Sequence, residues 1–355
     1  MINRECGVYK TTYEADMALY PAPLARYTSI GVLAALVLLP LAADSHAMAI
    51  INLIALASIG AIGLNILVGF TGQVSLGQGA FMMVGSYTAA VLTVKTGAPF
   101  WLGVPAGGAV AALVGAVFGI PSLRIKGLYL AIATLAAQFI IEWSINHSTW
   151  ISGGVQSTLY VPTPTLFGWE INTEYRRYGL ILPVAVAAYV AALNLVRSRV
   201  GRAFVAVRDR DIAAEIIGVD VFKYKLLAFA VSSFYAGVAG ALYTYYLKIA
   251  NYEHFTLVTS VNYLAMIIIG GLGSVLGSVF GAVFITLMPI VLVYVVEGGA
   301  ALFGFKYAAI ADILANLRLI IFGGLIILFL AIEPEGLFRM WGNVKRYFRL
   351  WPYSY

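Results

Sequence analysis

The stretch RSRVGRAFVAVRDRDIAAEIIGVDVFKYK, residues 197–225, interrupts an otherwise apolar chain. It holds seven Lys/Arg and four Asp/Glu, whereas only 11% of the 355 residues are charged. Because each charge at the centre of a bilayer costs about 2.5–3.5 kcal/mol, this stretch is expected to lie in water, and its Lys/Arg excess predicts the cytoplasmic side. Within it, residues 209–218 are predicted to form one short exposed helix, with Asp209 and Asp211 at its start and Gly218 at its end.

The composition is that of a polytopic membrane protein. Hydrophobic residues make up 61% of the chain, above the level of about 45–50% in soluble domains. Ten apolar segments, each near the ~20 residues that cross about 30 Å of hydrocarbon, predict an all-α fold of about ten transmembrane helices. The segments run over about 27–43, 48–70, 76–94, 101–120, 127–146, 179–197, 226–247, 257–275, 278–297 and 316–332.

The charges of the loops predict the orientation. Sixteen Lys/Arg fall on one side of the predicted membrane and at most six on the other, and this bias puts both termini in the cytoplasm. The predicted regions are a cytoplasmic tail (1–26), a transmembrane domain (27–332) and a basic cytoplasmic tail (333–355). Within the transmembrane domain, 147–178 is predicted to be a periplasmic loop and 198–225 a cytoplasmic one.

Several short motifs carry a resemblance to a known family. They are Gly201-Arg202-Ala203, Ala206-Val207-Arg208-Asp209, Ala213-Ala214, Gly218-Val219, Tyr224-Lys225-Leu226-Leu227-Ala228-Phe229, Asn65-Ile66-Leu67-Val68-Gly69 and Leu76-Gly77-Gln78-Gly79-Ala80-Phe81. This pattern resembles LivM-type permeases, the membrane subunits of branched-chain amino-acid ABC importers, over about residues 48–340. The transmembrane domain would then be a permease domain.

The resemblance implies that 198–225 is a coupling loop, whose helix docks into an ATP-binding subunit. Ile212 departs from the family pattern, which has Glu at that position. The alternative is a solvated loop that only orients the chain. The residues that the resemblance assigns to coupling are Arg208, Asp209, Asp211, Ala213, Ala214, Glu215 and Gly218.

The resemblance also implies partners. In that family the permease pairs with a second homologous permease of the LivH type, docks two ATP-binding subunits and receives its solute from a periplasmic binding protein. It lies in the bacterial inner membrane, and the ATP-binding subunits hold ATP and Mg, so no cofactor is expected in this chain. Branched-chain or other hydrophobic amino acids are the expected solutes.

Other solutes and another class of transporter stay open as alternatives. One is a permease for urea, short amides or small carboxylates, because Ser152-Gly153-Gly154 stands where the family often has Thr-Gly-Gly. The other is an ion-coupled secondary transporter. That class is expected to place ionisable groups within its spans, whereas Glu142, Glu297, Asp312 and Arg318 all lie near span ends.

Two glycine-rich stretches about 200 residues apart resemble each other and are candidate internal repeats. They are 69–78 and 270–278, and both follow long apolar runs. Glycine lets the backbone leave helical geometry or lets helices approach closely, so these stretches are predicted to break helices and to line a path for a polar solute. The alternative is that these residues only pack helices together. The candidate residues are Asn65, Gly72, Gln73, Ser75, Gln78, Gly270, Gly273 and Gly277.

The sequence carries no motif for chemistry of its own. It has no Gly-x-x-x-x-Gly-Lys-Ser/Thr loop for nucleotide phosphates, so ATP hydrolysis is expected in separate subunits and the chain is not predicted to be an enzyme. His46, His147 and His254 are spaced far apart, and with Cys6 as the only cysteine no metal site is expected. The basic residues cluster in loops between spans, which favours the lipid bilayer over nucleic acid as the partner.

Overall fold

The structure is a computed structural model, and it is all-α with four two-residue strands among the described residues. The residues described are 12, 23–122, 127–154, 158–166, 169–303, 320, 323–324, 327–328, 331 and 336–350. The predicted all-α, polytopic fold is therefore confirmed. The predicted span at 316–332 lies mostly outside the described residues, as do Cys6 and residues 155–157 of the outer loop.

Thirteen α-helices are described, and several are interrupted or extended by other helical turns. They are α1 (Pro23–Leu38), α2 (Ser45–Asn65), α3 (Gln78–Thr96), α4 (Phe100–Ser122), α5 (Leu128–His147), α6 (Thr149–Ser152), α7 (Glu174–Arg197), α8 (Arg199–Asp209), α9 (Asp211–Ile216), α10 (Val221–Leu247), α11 (Leu257–Gly270), α12 (Val275–Phe303) and α13 (Leu337–Leu350). The strands are β1 (Leu159–Tyr160), β2 (Thr165–Leu166), β3 (Trp169–Glu170) and β4 (Ile249–Ala250).

Six of the described helical segments are long and apolar enough to cross a membrane, so the predicted count of ten is not confirmed. They begin at Ser45, Phe100, Glu174, Val221, Tyr252 and Val275. Helices α3 and α5 have 19 and 20 residues, which is also a spanning length. Their apolar character is diluted by polar side chains that face the protein interior, since Gln78, Ser86, Thr134 and Gln138 are all at most 2% exposed.

Helix α10 packs against α2, α3 and α4, and glycines make the closest of these contacts. A Cβ on Gly107 would lie 2.7 Å from the carbonyl oxygen of Gly85, and one on Gly237 would lie 2.6 Å from that of Gly107. Real Cβ atoms do not approach other atoms so closely. Helices α3, α4 and α10 thus touch backbone to backbone, as small residues permit in membrane bundles.

Two regions contain structure beyond the predicted spans. In the predicted periplasmic loop, β1 pairs antiparallel with β4, which places Leu159 opposite Ala250, and β2 pairs with β3. Helix α7 begins at Glu174, within that loop, because Glu174 supplies a carboxylate in the first turn. The predicted C-terminal tail contains α13, a basic helix of 14 residues.

Candidate functional site

The chain leaves helical geometry in both glycine stretches. Helix α2 continues as a π-helical turn over Ile66–Phe70 and then breaks, with Gly72 at φ 70°. Helix α11 ends at Gly270, and α12 starts only at Val275. Gly273, between them, has φ 75°. Residues with a Cβ rarely adopt these φ values, so glycine suits both positions.

The two breaks contact each other through one buried amide. The Asn65 side chain is 1% exposed. Its Nδ2 donates to the carbonyl oxygen of Ser274 at 2.8 Å and to Oγ of Ser278 at 2.7 Å. Its Oδ1 accepts from the backbone N–H of Gly273 at 2.9 Å. Asn65 therefore supplies an acceptor for the Gly273 N–H in the break between α11 and α12. It also adds a second donor to the Ser274 carbonyl, which already accepts from the N–H of Ser278 in α12. We call Asn65, Gly69, Gly72, Gly270, Gly273 and Gly277 the glycine junction.

Close backbone contacts explain the glycines of this junction. A Cβ on Gly69 would overlap the backbone nitrogen of Gly273. A Cβ on Gly277 would lie 2.7 Å from the carbonyl oxygen of Gly270. The junction thus joins the end of α2 to the α11–α12 break with no room for side chains between them.

Arg208 links this junction to the charged stretch that interrupts the apolar chain. It lies near the end of α8, and its Nη1 donates to the carbonyl oxygen of Gly69 at 2.9 Å. Its Nε contacts Oδ1 of Asp209 at 3.1 Å. A Cβ on Gly72 would lie 3.0 Å from Cγ of Arg208, and one on Gly273 would lie 3.2 Å from Nη1. A single guanidinium therefore contacts both breaks.

The predicted helix over 209–218 differs from the structure. Asp209 ends α8, Arg210 is extended at φ −157°, and α9 covers only Asp211–Ile216. At the start of α9 the Oδ1 of Asp211 accepts from the N–H of Ile212 at 3.0 Å, so a side chain takes the place of a carbonyl of the preceding helix. Gly218 has φ 89° and follows the helix as predicted for a C-terminal stop.

Helix α9 is anchored on one face and exposed on the other. Ala214 is 2% exposed, and Asp211 forms an ion pair at 3.6 Å with Lys225, a buried residue near the start of α10. The remaining coupling candidates, Ala213 and Glu215, are exposed. Beside them Ile212, Ile216 and Ile217 are 68%, 81% and 75% exposed. The sequence argument missed this apolar surface, which we call the isoleucine patch, although three isoleucines within six residues of a charged loop were a visible signal.

The other polar candidates are buried and lie in separate places. Nε2 of Gln73 donates to Oγ1 of Thr71 at 3.1 Å. Oγ of Ser75 accepts from the N–H of Gly77 at 3.3 Å. Nε2 of Gln78 donates at 2.9 Å to the carbonyl oxygen of Gly60, five residues before Asn65 on α2. In this conformation most of their polar atoms are engaged by the protein, and their role along a solute path stays a prediction.

Gln138 and Ser260 complete a buried cluster that the sequence argument did not identify. Oε1 of Gln138 accepts from the N–H of Ala80 at 2.7 Å and from Oγ of Ser260 at 3.2 Å. Nε2 of Gln138 donates to the carbonyl oxygen of Phe255 at 2.8 Å. These contacts satisfy the first turn of α3, which starts inside the protein. A lone glutamine in an apolar segment was the only signal available.

A second unpredicted cluster lies toward the opposite end of α2. The buried Asn52 donates to Oε2 of Glu174 at 3.1 Å, and the hydroxyl of Tyr246 donates to the same oxygen at 3.1 Å. Arg177 pairs with Glu174 at 2.6 Å and lies over the Tyr246 ring. This cluster joins α2, α7 and α10. Asn52 and Asn65 are thirteen residues apart along α2, or about 20 Å. Helix α2 thus carries, toward each end, a buried asparagine that hydrogen-bonds to neighbouring elements.

The histidines do not converge in the described part of the chain. His147 stacks on Trp143 and His254 contacts the ring of Tyr243, while His46 lies in the first turn of α2. Within the residues that the structure covers, no group of three or more His, Cys, Asp or Glu side chains is placed to hold a metal ion.

Apolar helices broken at glycine, with their freed backbone groups satisfied inside the protein, define a multi-pass membrane protein of the kind that builds transport paths. The comparisons agree. A family model described as "Branched-chain amino acid transport system / permease component" matches residues 46–330. The chain therefore belongs to this family of transport subunits.

Individual relatives are similar to the chain over part of its length. The LivM permease proteins of the high-affinity branched-chain amino acid transport systems of Salmonella typhimurium and Escherichia coli are each 34% identical over 247 residues. That match covers 63% of this chain and 58% of each relative. A probable LivH permease protein of Methanocaldococcus jannaschii is 28% identical over 303 residues, 81% of this chain and 90% of the relative. No solved structure matches the chain.

The glycine junction generates a prediction for Gly273. Gly273→Leu places a branched side chain at φ 75° against Arg208 and Gly69, and overpacking of this kind costs about 1–3 kcal/mol. We expect solute uptake by cells that carry the variant to fall severely, because the two breaks are pushed apart.

Gly97→Leu is the matched control for this variant. Gly97 has φ 66°, and a Cβ there would meet nothing within 4 Å. Gly97→Leu therefore introduces a similar backbone strain without a clash of its side chain with neighbouring atoms. Equal uptake by the two variants, at equal amounts in the membrane, would show that contact across the junction does not matter for transport.

Proposed function

We propose that this chain is a permease subunit of an ATP-driven ABC importer in the bacterial inner membrane, with both termini in the cytoplasm. It pairs with a second, homologous permease of the LivH type. Two ATP-binding subunits dock on the cytoplasmic side and hold ATP and Mg, and a periplasmic binding protein delivers the solute. Branched-chain or other hydrophobic amino acids are the proposed solutes.

The observation that carries this proposal is the route from the isoleucine patch to the glycine junction. The patch, with Ile216 81% exposed, is apolar surface on a helix that lies outside the lipid-spanning segments. Large exposed apolar side chains rimmed by charges are typical of protein interfaces. Asp211 joins this helix to Lys225 of α10, and the preceding Arg208 contacts Gly69.

This route supports a mechanism for coupling. When ATP closes the partner subunits, they carry the isoleucine patch with them, and α8 and α9 shift against the bundle. Arg208 moves with α8 and changes its hold on Gly69 and Gly273. The ends of α2 and α11 then separate or rotate at the glycine junction. Packed interfaces of this kind have discrete arrangements, so a small local shift becomes a change of state.

The pairing of two permeases draws support from the relatives. The chain is similar both to LivM proteins and, over most of its length, to a LivH protein. Two chains of one family can build a two-fold path between them. The chain has ample lipid- or partner-facing surface for such contacts, since Trp101, Leu113 and Trp143 of α4 and α5 are 59–68% exposed.

The solute class is proposed from the printed names of the LivM and LivH relatives. The buried amides agree with it, because neutral hydrogen-bonding groups can pass a zwitterion without holding it tightly, and a path must release what it admits. Strong selection is left to the pocket of the binding protein, where an unpaired polar group rejects a wrong solute.

Two substitutions separate docking from transmission. Ile216→Asp puts a charge into the isoleucine patch, and we expect the ATP-binding subunits to be lost when the complex is purified. Arg208→Gln removes the guanidinium that holds Gly69. We expect that variant to assemble normally, to support ATP hydrolysis and to lose most of its uptake.

Each variant has a close control. Ile216→Leu keeps the patch apolar and should assemble. Arg202→Gln removes another exposed arginine of α8, whose guanidinium donates to the carbonyl oxygen of Arg197, and it should transport normally. Normal uptake by Arg208→Gln would reject transmission through this residue, and full assembly of Ile216→Asp would reject docking at the patch.

The orientation can be tested with the natural thiol. Cys6 is the only cysteine of the chain. A membrane-impermeant maleimide should label it in permeabilised spheroplasts and leave it unlabelled in intact ones, because the loop charges favour a cytoplasmic N-terminus. Efficient labelling of intact spheroplasts would place the N-terminus outside.

Reconstitution in liposomes tests whether the ATP-binding subunits supply the energy and the binding protein selects the solute. The permease pair alone should neither hydrolyse ATP nor accumulate solute. Adding the ATP-binding subunits and a binding protein should give ATP-dependent uptake of leucine, isoleucine or valine, and not of urea or short carboxylates. A binding protein of different preference should change the solute with this chain untouched. Concentrative uptake by the permeases alone, driven by an ion gradient, would make the chain a secondary transporter instead.

A further inference from the structure

Helix α13 is a basic helix with an apolar side. Its sequence, LFRMWGNVKRYFRL, contains four Arg/Lys and no acidic residue. Phe338, Met340, Trp341 and Val344 are 41–58% exposed. Phe338, Trp341 and Val344 recur every three residues, and Val344 follows Met340 by four, spacings that share one side of a helix. Basic residues and aromatic side chains combined on one helix are typical of helices that lie in the interface of a membrane.

The structure fixes where α13 begins. Gly336, just before it, is buried and has φ 82°, and a Cβ there would lie 2.6 Å from Cα of Gly271. Leu337 packs against the hydrophobic core. Because Gly271 adjoins Gly273, which contacts Arg208, α13 starts at the same end of the bundle as α8 and α9. It therefore begins at one end of the membrane-spanning helices.

We propose that α13 lies in the headgroup region on the α8–α9 side of the membrane and binds anionic lipid headgroups. The apolar side chains enter the boundary between headgroups and acyl chains, and the positive charge of the helix favours anionic headgroups. The sequence of α13 contains no Asp or Glu, so the helix carries only positive formal charge.

The lipid contact has a structural consequence. If headgroups hold α13, they also hold Gly336 against the break between α11 and α12. The lipid surface then restrains the same junction that Arg208 contacts from the other side. This inference requires only that the chain spans a membrane, and it does not depend on the solute or on the proposed ATP-binding partners.

A single label on α13 tests the proposal in the full chain. In a Cys6→Ser background, Val344→Cys carries an environment-sensitive fluorophore, and Met340→Cys provides a second position should the first fold poorly. The protein is placed in nanodiscs of zwitterionic phosphatidylcholine, or of the same lipid mixed with anionic phosphatidylglycerol. Part of the lipid carries a nitroxide on its acyl chain, which quenches nearby fluorophores.

We expect severalfold stronger quenching in the anionic nanodiscs, and loss of that difference in high salt, because salt screens surface charge. Lys345→Gln combined with Arg346→Gln should also abolish the difference, whereas Lys345→Arg should retain it. Absent quenching in both lipids would overturn the proposal, and equal quenching in both would overturn the binding of anionic headgroups. Quenching that disappears when ATP-binding subunits are added would show that a protein covers α13 instead.

Discussion

Backbone groups freed at two helix breaks must find hydrogen-bond partners inside the protein, because the hydrocarbon around it offers none. An unsatisfied polar group there costs several kcal/mol. Two side chains meet this constraint at the glycine breaks. Asn65 binds the backbone of Gly273 and Ser274, and the guanidinium of Arg208 binds that of Gly69. These contacts join α2 and α8 to the break before α12.

The same constraint explains the second buried cluster. Helix α3 starts at Gln78, inside the bundle, so its first N–H groups need acceptors from other elements. Gln138 of α5 accepts from Ala80, and Ser260 of α11 accepts from Gly79 at 2.8 Å. Polar side chains in these helices therefore lower the apolar content of the sequence for a structural reason. Of the residues at this helix start, only Gln78 was predicted to line a solute path, and that role stays a prediction.

Much of the fold could be predicted from the sequence, because a spanning helix must be apolar over about 20 residues. The bounds of α4 and α5 differ from the predicted segments by one or two residues at each end. Both glycine stretches were recognisable because glycine destabilises helices and readily adopts the positive φ values found at breaks. The division at Arg210 was not, because the new helix start depends on the Asp211 side chain accepting from the N–H of Ile212 in place of a helical carbonyl.

Contacts between residues far apart in the sequence were the features that could least be predicted. Gln138 contacts residues 58 and 117 positions away, and Asn52 contacts Glu174 across 122 positions. Nothing in local composition encodes such pairs. Helix α13 was also missed, because its mixed basic and aromatic residues were interpreted as a charged tail; a count of apolar residues at helical spacing favours a helix there.

The hydrogen bonds of Arg208 and Asn65 differ in how easily they can break when the helices shift. A hydrogen bond from a charged donor contributes about 1.5–3 kcal/mol, and a neutral one about 0.5–1.5 kcal/mol. Arg208 makes one such bond to Gly69 while its side chain stays 39% exposed. Water can therefore replace the protein acceptor when α8 shifts, so the bond breaks without leaving a buried charge. Asn65 is buried and cannot make that exchange, so the amide must keep its partners or trade them for others within the protein. In the proposed coupling, the exposed Arg208 is the contact to the junction that partner subunits would displace, and the buried Asn65 would hold the two breaks together meanwhile.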